Sequence, residues 1–261
     1  MKNLFLFLFL LVVFTSKAQD NRVSGLNSRQ FTKYWKVESE SPDYKVTFQG
    51  DTAEIVSPKG LTLWRKEKMS GKVTIEYDAC VVVESDGDRL SDLNCFWMAS
   101  DPQYPDNLWK REKWRSGIFL NCYSLQLYYL GYGGNHNSTT RFRRYDGDES
   151  GITNPKARPA ILKEYTDAGH LLKPNHWYHI KITNENNRVS YYIDGERLVD
   201  FRDAEPLREG WFGFRTTLSR TRITNFSYEC SSQEATAVPL QWIGDDSPAG
   251  YKVVSFRSAF G

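Results

Sequence analysis

The densest run of potentially reactive side chains lies between Gly131 and Gly147, which reads GYGGNHNSTTRFRRYDG. Glycines at 131, 133 and 134 leave the backbone free to enter conformations closed to other residues, and His136 sits between Asn135 and Asn137. A strand is expected to follow, and its two-residue period puts Arg141, Arg143 and Tyr145 on one face. Guanidinium forks grip planar oxyanions through paired hydrogen bonds, so this face beside a histidine suits a carboxylate or sulfate ligand. The plainer alternative is a hairpin turn followed by a solvated basic strand, but the density of Gly and Asn exceeds what a hairpin needs.

A second stretch, EYTDAGHLL from Glu164 to Leu172, closes a polar connection that starts at Asp146 and contributes Tyr165, Asp167 and His170. Connections of about 20 residues are uncommon in compact domains and often carry function; the alternative is a loop that merely crosses the fold, with His170 capping a turn. His176 and His179 flank the start of an expected strand beside Trp177 and read as structural. Between Trp109 and Arg115 aromatic and basic residues interleave. Aromatic faces stack on sugars and cations bind acidic groups, so one of Trp109 and Trp114 is expected to face a ligand, although tryptophans more often complete a core. The acidic run Glu84 to Asp88, with Asp92, lacks EF-hand spacing and reads as a solvated turn rather than a Ca²⁺ site. No metal or cofactor is expected, and no carboxylate pair of a retaining glycosidase is evident.

The elements that must position these groups are strands. β-forming segments recur at Lys72 to Val83, Leu93 to Met98, Gly117 to Tyr132, Thr139 to Tyr145, Trp177 to Thr183, Arg188 to Ile193, Gly210 to Thr217 and Thr221 to Glu229. Turn residues separate them, as at Asp86-Gly87-Asp88, Asn184 to Asn187 and Asp194-Gly195. Few windows show a helical period. The expectation is an all-β domain of two antiparallel sheets packed as a sandwich over residues 19–230, with 231–261 as a tail or extra strand. Alternation sets Phe212 and Phe214 opposite to Trp211, Gly213 and Arg215.

Residues 1–18 carry Lys2, the apolar run Leu4 to Phe14 and the small residues Ser16 and Ala18, the pattern of a cleavable signal peptide. The formal charge of +2 falls to zero without Lys2 and Lys17, which gives no reason to expect a nucleic-acid partner and leaves only local clusters to interpret. No cysteine stands at the expected cleavage point and no later run is long enough for a membrane helix, so a periplasmic or secreted monomer without a membrane anchor is expected. Cys80, Cys95, Cys122 and Cys230 lie in or beside apolar runs and lack C-x-x-C spacing, which favours buried thiols or one bridge over a catalytic cysteine.

The segments GGNHNSTTRFRRYDG, EYTDAGHLL, HWYHIKI and GWFGFRTTLS together resemble a family of secreted concanavalin A-like proteins of polysaccharide-degrading bacteria, over nearly all of Phe31 to Glu229. Among its members the resemblance leans toward the oligosaccharide dehydratases of ulvan degradation. It implies a jelly-roll sandwich and an enzyme, a carbon–oxygen lyase that eliminates water from a non-reducing-end uronate to leave a 4,5-unsaturated sugar. Such an elimination needs a base, an acid and cations around the carboxylate. The expected roles are His136 as base, Tyr132 or His170 as acid, and Arg141, Arg143, Arg215 and Asn135 around the carboxylate of an acidic oligosaccharide, with Trp109 and Tyr165 as further contacts. A polysaccharide lyase and a non-catalytic carbohydrate-binding module stay open as alternatives.

Overall fold

Alternating apolar and polar side chains bury one face of each strand, and the pattern is plainest in the middle of the chain. The computed structural model describes residues 23–231; the expected signal peptide and all but the first residue of the expected tail lie outside the described residues. The strands are β1 (Val23–Ser24), β2 (Trp35–Ser39), β3 (Lys45–Gln49), β4 (Thr52–Arg65), β5 (Met69–Ser70), β6 (Lys72–Val81), β7 (Leu93–Ser100), β8 (Gln126–Gly133), β9 (Thr139–Asp146), β10 (Lys163–Tyr165), β11 (Tyr178–Glu185), β12 (Arg188–Ile193), β13 (Glu196–Arg202) and β14 (Glu209–Ser231). In β6, for example, Val73, Ile75, Tyr77 and Ala79 are buried while the residues between them stay partly exposed.

The strands form two antiparallel layers, a concanavalin A-like jelly-roll sandwich. One runs β10-β9-β8-β7, then the first half of β14, the second half of β4, and β2. The other runs β13-β12-β11-β6, then the second half of β14, the first half of β4, and β3. β4 and β14 therefore belong to both layers. They bend together where Thr217 faces Gly60 and Ser219 faces Ser57, which leaves Leu218 out of the ladder at φ 50° and exposed.

The main core lies between the layers and is rich in rings that meet across it. Trp97 reaches Tyr191 at 6.1 Å, Phe142 reaches Phe201 at 5.5 Å, and Tyr77 meets Phe214 edge-on at 4.9 Å. A second apolar cluster, including Trp64, Phe96, Tyr129, Tyr145 and Trp211, covers the outer face of the first layer. The connection between β7 and β8 folds over it in short helical turns, Leu108–Arg111, Glu112–Arg115 and Leu120–Ser124.

Two expectations need correction. Gly117 to Tyr132 is not one strand, because Ser116 and Gly117 take left-handed conformations and Leu120–Ser124 turns helically before β8 begins at Gln126. Gly210 to Thr217 and Thr221 to Glu229 are halves of one bent strand. All four cysteines are free thiols, and burial pushes Cys95 and Cys122 up to about 12, which leaves them unreactive at neutral pH. No helix among the described residues is long and apolar enough to cross a membrane.

Beyond the bend, Glu54 on β4 clasps Arg220 and Arg222 on β14, with 2.7 Å to Arg222 Nε, and Glu84 pairs with the same two arginines. Burial pushes the Glu54 carboxyl up, but its bonds to Arg220 and Arg222 outweigh that and hold it below its ordinary value. A depressed carboxyl contributes stability above its unfolded pKa and loses it as pH falls through the folded one. Glu54→Gln is therefore expected to cost about 1 kcal/mol at pH 7. In denaturant unfolding at a series of pH values, the gap to the wild type should narrow below about pH 4.

Candidate functional site

Strand register builds the site. Arg215 on β14 is the partner of Asn94 on β7, Asn94 of Gly131 on β8, and Gly131 of Arg141 on β9. Directly opposed residues in antiparallel pairs point to the same side, so these four form one row across the outer face of the first layer. Three strand spacings, about 14 Å in all, separate its two arginines. The next row, Arg143-Tyr129-Phe96-Gly213-Trp64, is largely the apolar cluster already described. Gly131 opens the floor between them: a Cβ there would overlap the Tyr129 hydroxyl, so only glycine lets this phenol lie along the strand.

Above these rows lies a cleft of about 520 Å³, walled by Ile118, Phe119, Leu120 and Tyr123 of the β7–β8 connection. Four guanidinium groups line it, those of Arg89, Arg141, Arg143 and Arg215, together with Asp92, Asn94 and Asn135. Arg215 is only 3% exposed. It donates to the Gly117 carbonyl at 2.5 Å and to Thr62 Oγ1 at 3.4 Å, and it lies over the Phe119 ring. Both hydrogen-bond acceptors are neutral; among the described residues no carboxylate is in ion-pair contact with Arg215, although Glu38 below it feels its charge and Glu40 lines the same cleft. A buried cation whose direct contacts are neutral oxygens is only partly compensated by carboxylates at a distance, and an anion entering the cleft would add a direct partner.

The Gly117 carbonyl is itself fixed. Gly117 has φ 71°, and a Cβ at this position would stand 2.7 Å from the Gly60 carbonyl, so it presses against β2 and β4 as only glycine can. Beneath it, fully buried Arg115 bonds Glu38 at 2.9 and 3.3 Å and the Leu108 carbonyl at 2.7 Å. Burial pushes the Glu38 carboxyl up while Arg115 pulls it back.

The remaining cations have different partners. Arg89 donates through Nη1 to Asp92 at 2.7 Å and to the Thr217 carbonyl at 2.9 Å, while its buried Nε has no partner. Arg141 pairs with Glu164 at 2.5 Å, and Arg143 donates to the Pro159 carbonyl. Asn94 donates to Asp92 Oδ1 at 3.2 Å and leaves its own Oδ1 buried without a partner, an omission of about 1–3 kcal/mol. Burial, with Asp92 next in weight, raises the Tyr129 phenol well above its ordinary value, so it stays protonated.

The turn after β8 is strained. Asn135, His136 and Asn137 stand consecutively at φ 52°, 57° and 56°, the left-handed region that non-glycine residues enter at a cost. Asn137 clamps the turn by bonding both the carbonyl and the amide of Leu172, at 2.9 and 2.8 Å. Ser138 ties back to the Asn135 carbonyl at 2.6 Å. Asn135 lines the cleft, and His136 is exposed on the same turn.

Of the residues singled out in the sequence, Arg141, Arg143, Arg215 and Asn135 meet in this cleft, with His136 beside Asn135. Four do not. Tyr132 shares the opposite face of β8 with Tyr128 and Leu130, buried between the layers against Tyr178, its hydroxyl 3.3 Å from the Leu171 carbonyl. His170 is held by Asp167 at 2.8 Å and stacks on Tyr165, whose hydroxyl bonds the Leu198 carbonyl and whose ring packs on the inter-layer core. Trp109 packs edge-on against Trp211 in the outer cluster. Trp114, 44% exposed, carries the Arg111 guanidinium over its ring and is not among the residues lining the cleft. Missed from the sequence were Arg89, Asn94 and Tyr129, and Asp92, read there as part of a solvated turn, is instead buried at the cleft. Alternation along β8 could have found Tyr129, which shares parity with Gly131.

A family model described as a domain of unknown function, DUF6250, matches residues 55–226. No curated protein matches the chain. Among solved structures, a protein of unknown function with a galectin-like fold from Bacillus subtilis is similar at 15% identity and a TM-score of 0.61, over 77% of this chain and 91% of that one. The VIP36 exoplasmic/lumenal domain in its Ca²⁺/Man3GlcNAc-bound form follows the same course at 8% identity and a TM-score of 0.53, over 83% and 91%. The carbohydrate-binding module CBM66 from Bacillus subtilis does so at 16% identity and a TM-score of 0.50, over 75% and 94%.

Proposed function

The chain belongs to the DUF6250 family, a domain of unknown function, and on that premise we propose that its cleft binds the uronate of an acidic oligosaccharide and acts on it by β-elimination. The observation that carries the reading is Arg215, a buried guanidinium whose hydrogen bonds go to neutral oxygens, in a cleft that three further arginines line against the two carboxylates Glu40 and Asp92. Saccharide as the ligand class is supported by the CBM66 module and the glycan-bound VIP36 domain, which share the sandwich.

Arg215, with Asn135, holds the carboxylate and stabilises the charge that develops on it when the C5 proton leaves. His136, carried by the strained turn, takes that proton. The C5–H electron pair forms the C4–C5 double bond while the C4–O bond breaks, and protonated Tyr129 gives its proton to the departing oxygen. When that oxygen is a hydroxyl the product is water and a 4,5-unsaturated uronate, a dehydratase reaction; when it is glycosidic the chain is cut. We place the protein, as an exported enzyme of the periplasm or exterior, on oligomers of the ulvan type.

Incubation with ulvan oligosaccharides, followed by ultraviolet absorbance of unsaturated uronates and by mass spectrometry for loss of water, tests this directly. A new chromophore with loss of water is expected, and His136→Ala should suppress it by about 100-fold or more. A wild-type protein that produces no chromophore from any uronate oligomer removes the elimination. One observation favours a non-catalytic binding module as the second reading: His136 stands outside the cleft lining, and Asp92 and Glu40 inside it are already hydrogen-bonded. Saccharide binding without turnover would establish that reading.

A further inference from the structure

We infer that Asn94 reads a free hydroxyl on the bound sugar, so the cleft selects an acidic saccharide unsubstituted at one position beside its anion; this rests on the acidic-saccharide reading above. A side-chain amide has a donor end and an acceptor end, and which end faces which way is set by its partners. One end of Asn94 lies 3.2 Å from Asp92 Oδ1, and the Arg89 guanidinium is fixed on the other oxygen of the same carboxylate at 2.7 Å. A carboxylate accepts, so the NH₂ of Asn94 must face Asp92 and the carbonyl oxygen must face away from it. Turning the amide over would set oxygen against oxygen.

That oxygen is buried and has no donor from the protein. Its neighbours in the row explain why. Gly131 on one side has no side chain, and Arg215 on the other directs its Nη1 to Gly117 and Thr62. Asn94 lines the cleft, so a lone acceptor lies buried in its floor, on the strand row between Arg215 and Arg141. A sugar hydroxyl satisfies it. An ether, a methyl ether or a sulfate ester at the same position brings only further acceptors or bulk, and leaves the oxygen desolvated and unpaired. Arg215 takes the anion in this arrangement, and Asn94 tests whether the neighbouring ring position is free.

Isothermal titration of the protein with a glucuronate-terminated disaccharide, and with the same disaccharide methylated at each ring hydroxyl in turn, tests the inference. One methyl ether is expected to bind the wild type at least ~10-fold more weakly than the parent. That preference should vanish in Asn94→Ala and shrink in Asp92→Asn, where the amide is free to turn. If every methyl ether binds the wild type as tightly as the parent, the role of Asn94 is overturned while the acidic-saccharide reading stands. If neither the parent nor any ether binds, both fall.

Discussion

Arg215→Met is expected to weaken binding of a uronate oligosaccharide by at least about 30-fold while the protein stays folded. The side chain is almost fully buried, and two neutral oxygens hold its guanidinium in place before any ligand arrives. A ligand carboxylate meeting it is thus paired with a desolvated, preorganised cation, and truncating one partner of such a pair costs about 2–5 kcal/mol. That corresponds to a loss of roughly 30-fold to several thousand-fold in affinity. Arg215→Lys should recover little, because an ammonium cannot keep both the Gly117 and Thr62 bonds and still present a fork to the ligand. Titration calorimetry with circular dichroism on the same samples separates loss of the site from loss of the fold. Unchanged affinity in the methionine variant would leave the cleft without its anchor.

The largest stability effect is expected one shell below, at Arg115. Removing one member of a buried ion pair strands the other, and Arg115→Met leaves Glu38 without its counter-ion at a cost of about 3–5 kcal/mol. For a domain of this size that is a fall in melting temperature of about 6–20 °C. The double variant Glu38→Leu with Arg115→Met should regain much of it, since two apolar side chains can fill the space that the pair occupied. It should not regain ligand affinity to the same extent, because the Gly117 peptide that orients Arg215 rests on the pair. Thermal melts and titrations of the three variants give the comparison; equal recovery of stability and affinity would detach the pair from the site.

Much of this arrangement is legible along single strands. Period-two alternation correctly sets Arg141, Arg143 and Tyr145 together and turns Phe212 and Phe214 away from Arg215. The same rule, carried back along β8, turns Tyr132 toward the core with Leu130 and leaves Tyr129 on the face of Gly131. What alternation along one strand does not hold is register between strands distant in sequence. Asn94 becomes a site residue only because β14 lies against β7 with Arg215 opposite, and hydrophobic pattern alone does not choose that offset. β4 escaped notice for a local reason. Pro58 and Gly60 sit at its bend and interrupt its alternation, although the strand passes through and changes layers.

The shared strands also bear on when the site can exist. Arg215 and its acceptor Thr62 are 153 residues apart, joined by strands from opposite ends of the fold that meet two residues short of the common bend. Loop-closure entropy delays such pairings, so the chain is expected to fold slowly, with the anion site among the last features to assemble. The glycine-opened floor on β8 and the arginines of β9 are joined by pairings local in sequence. They stay without Arg215 until β14 has paired with β4 and β7, so the proposed anion site is complete only when almost the whole sandwich has formed.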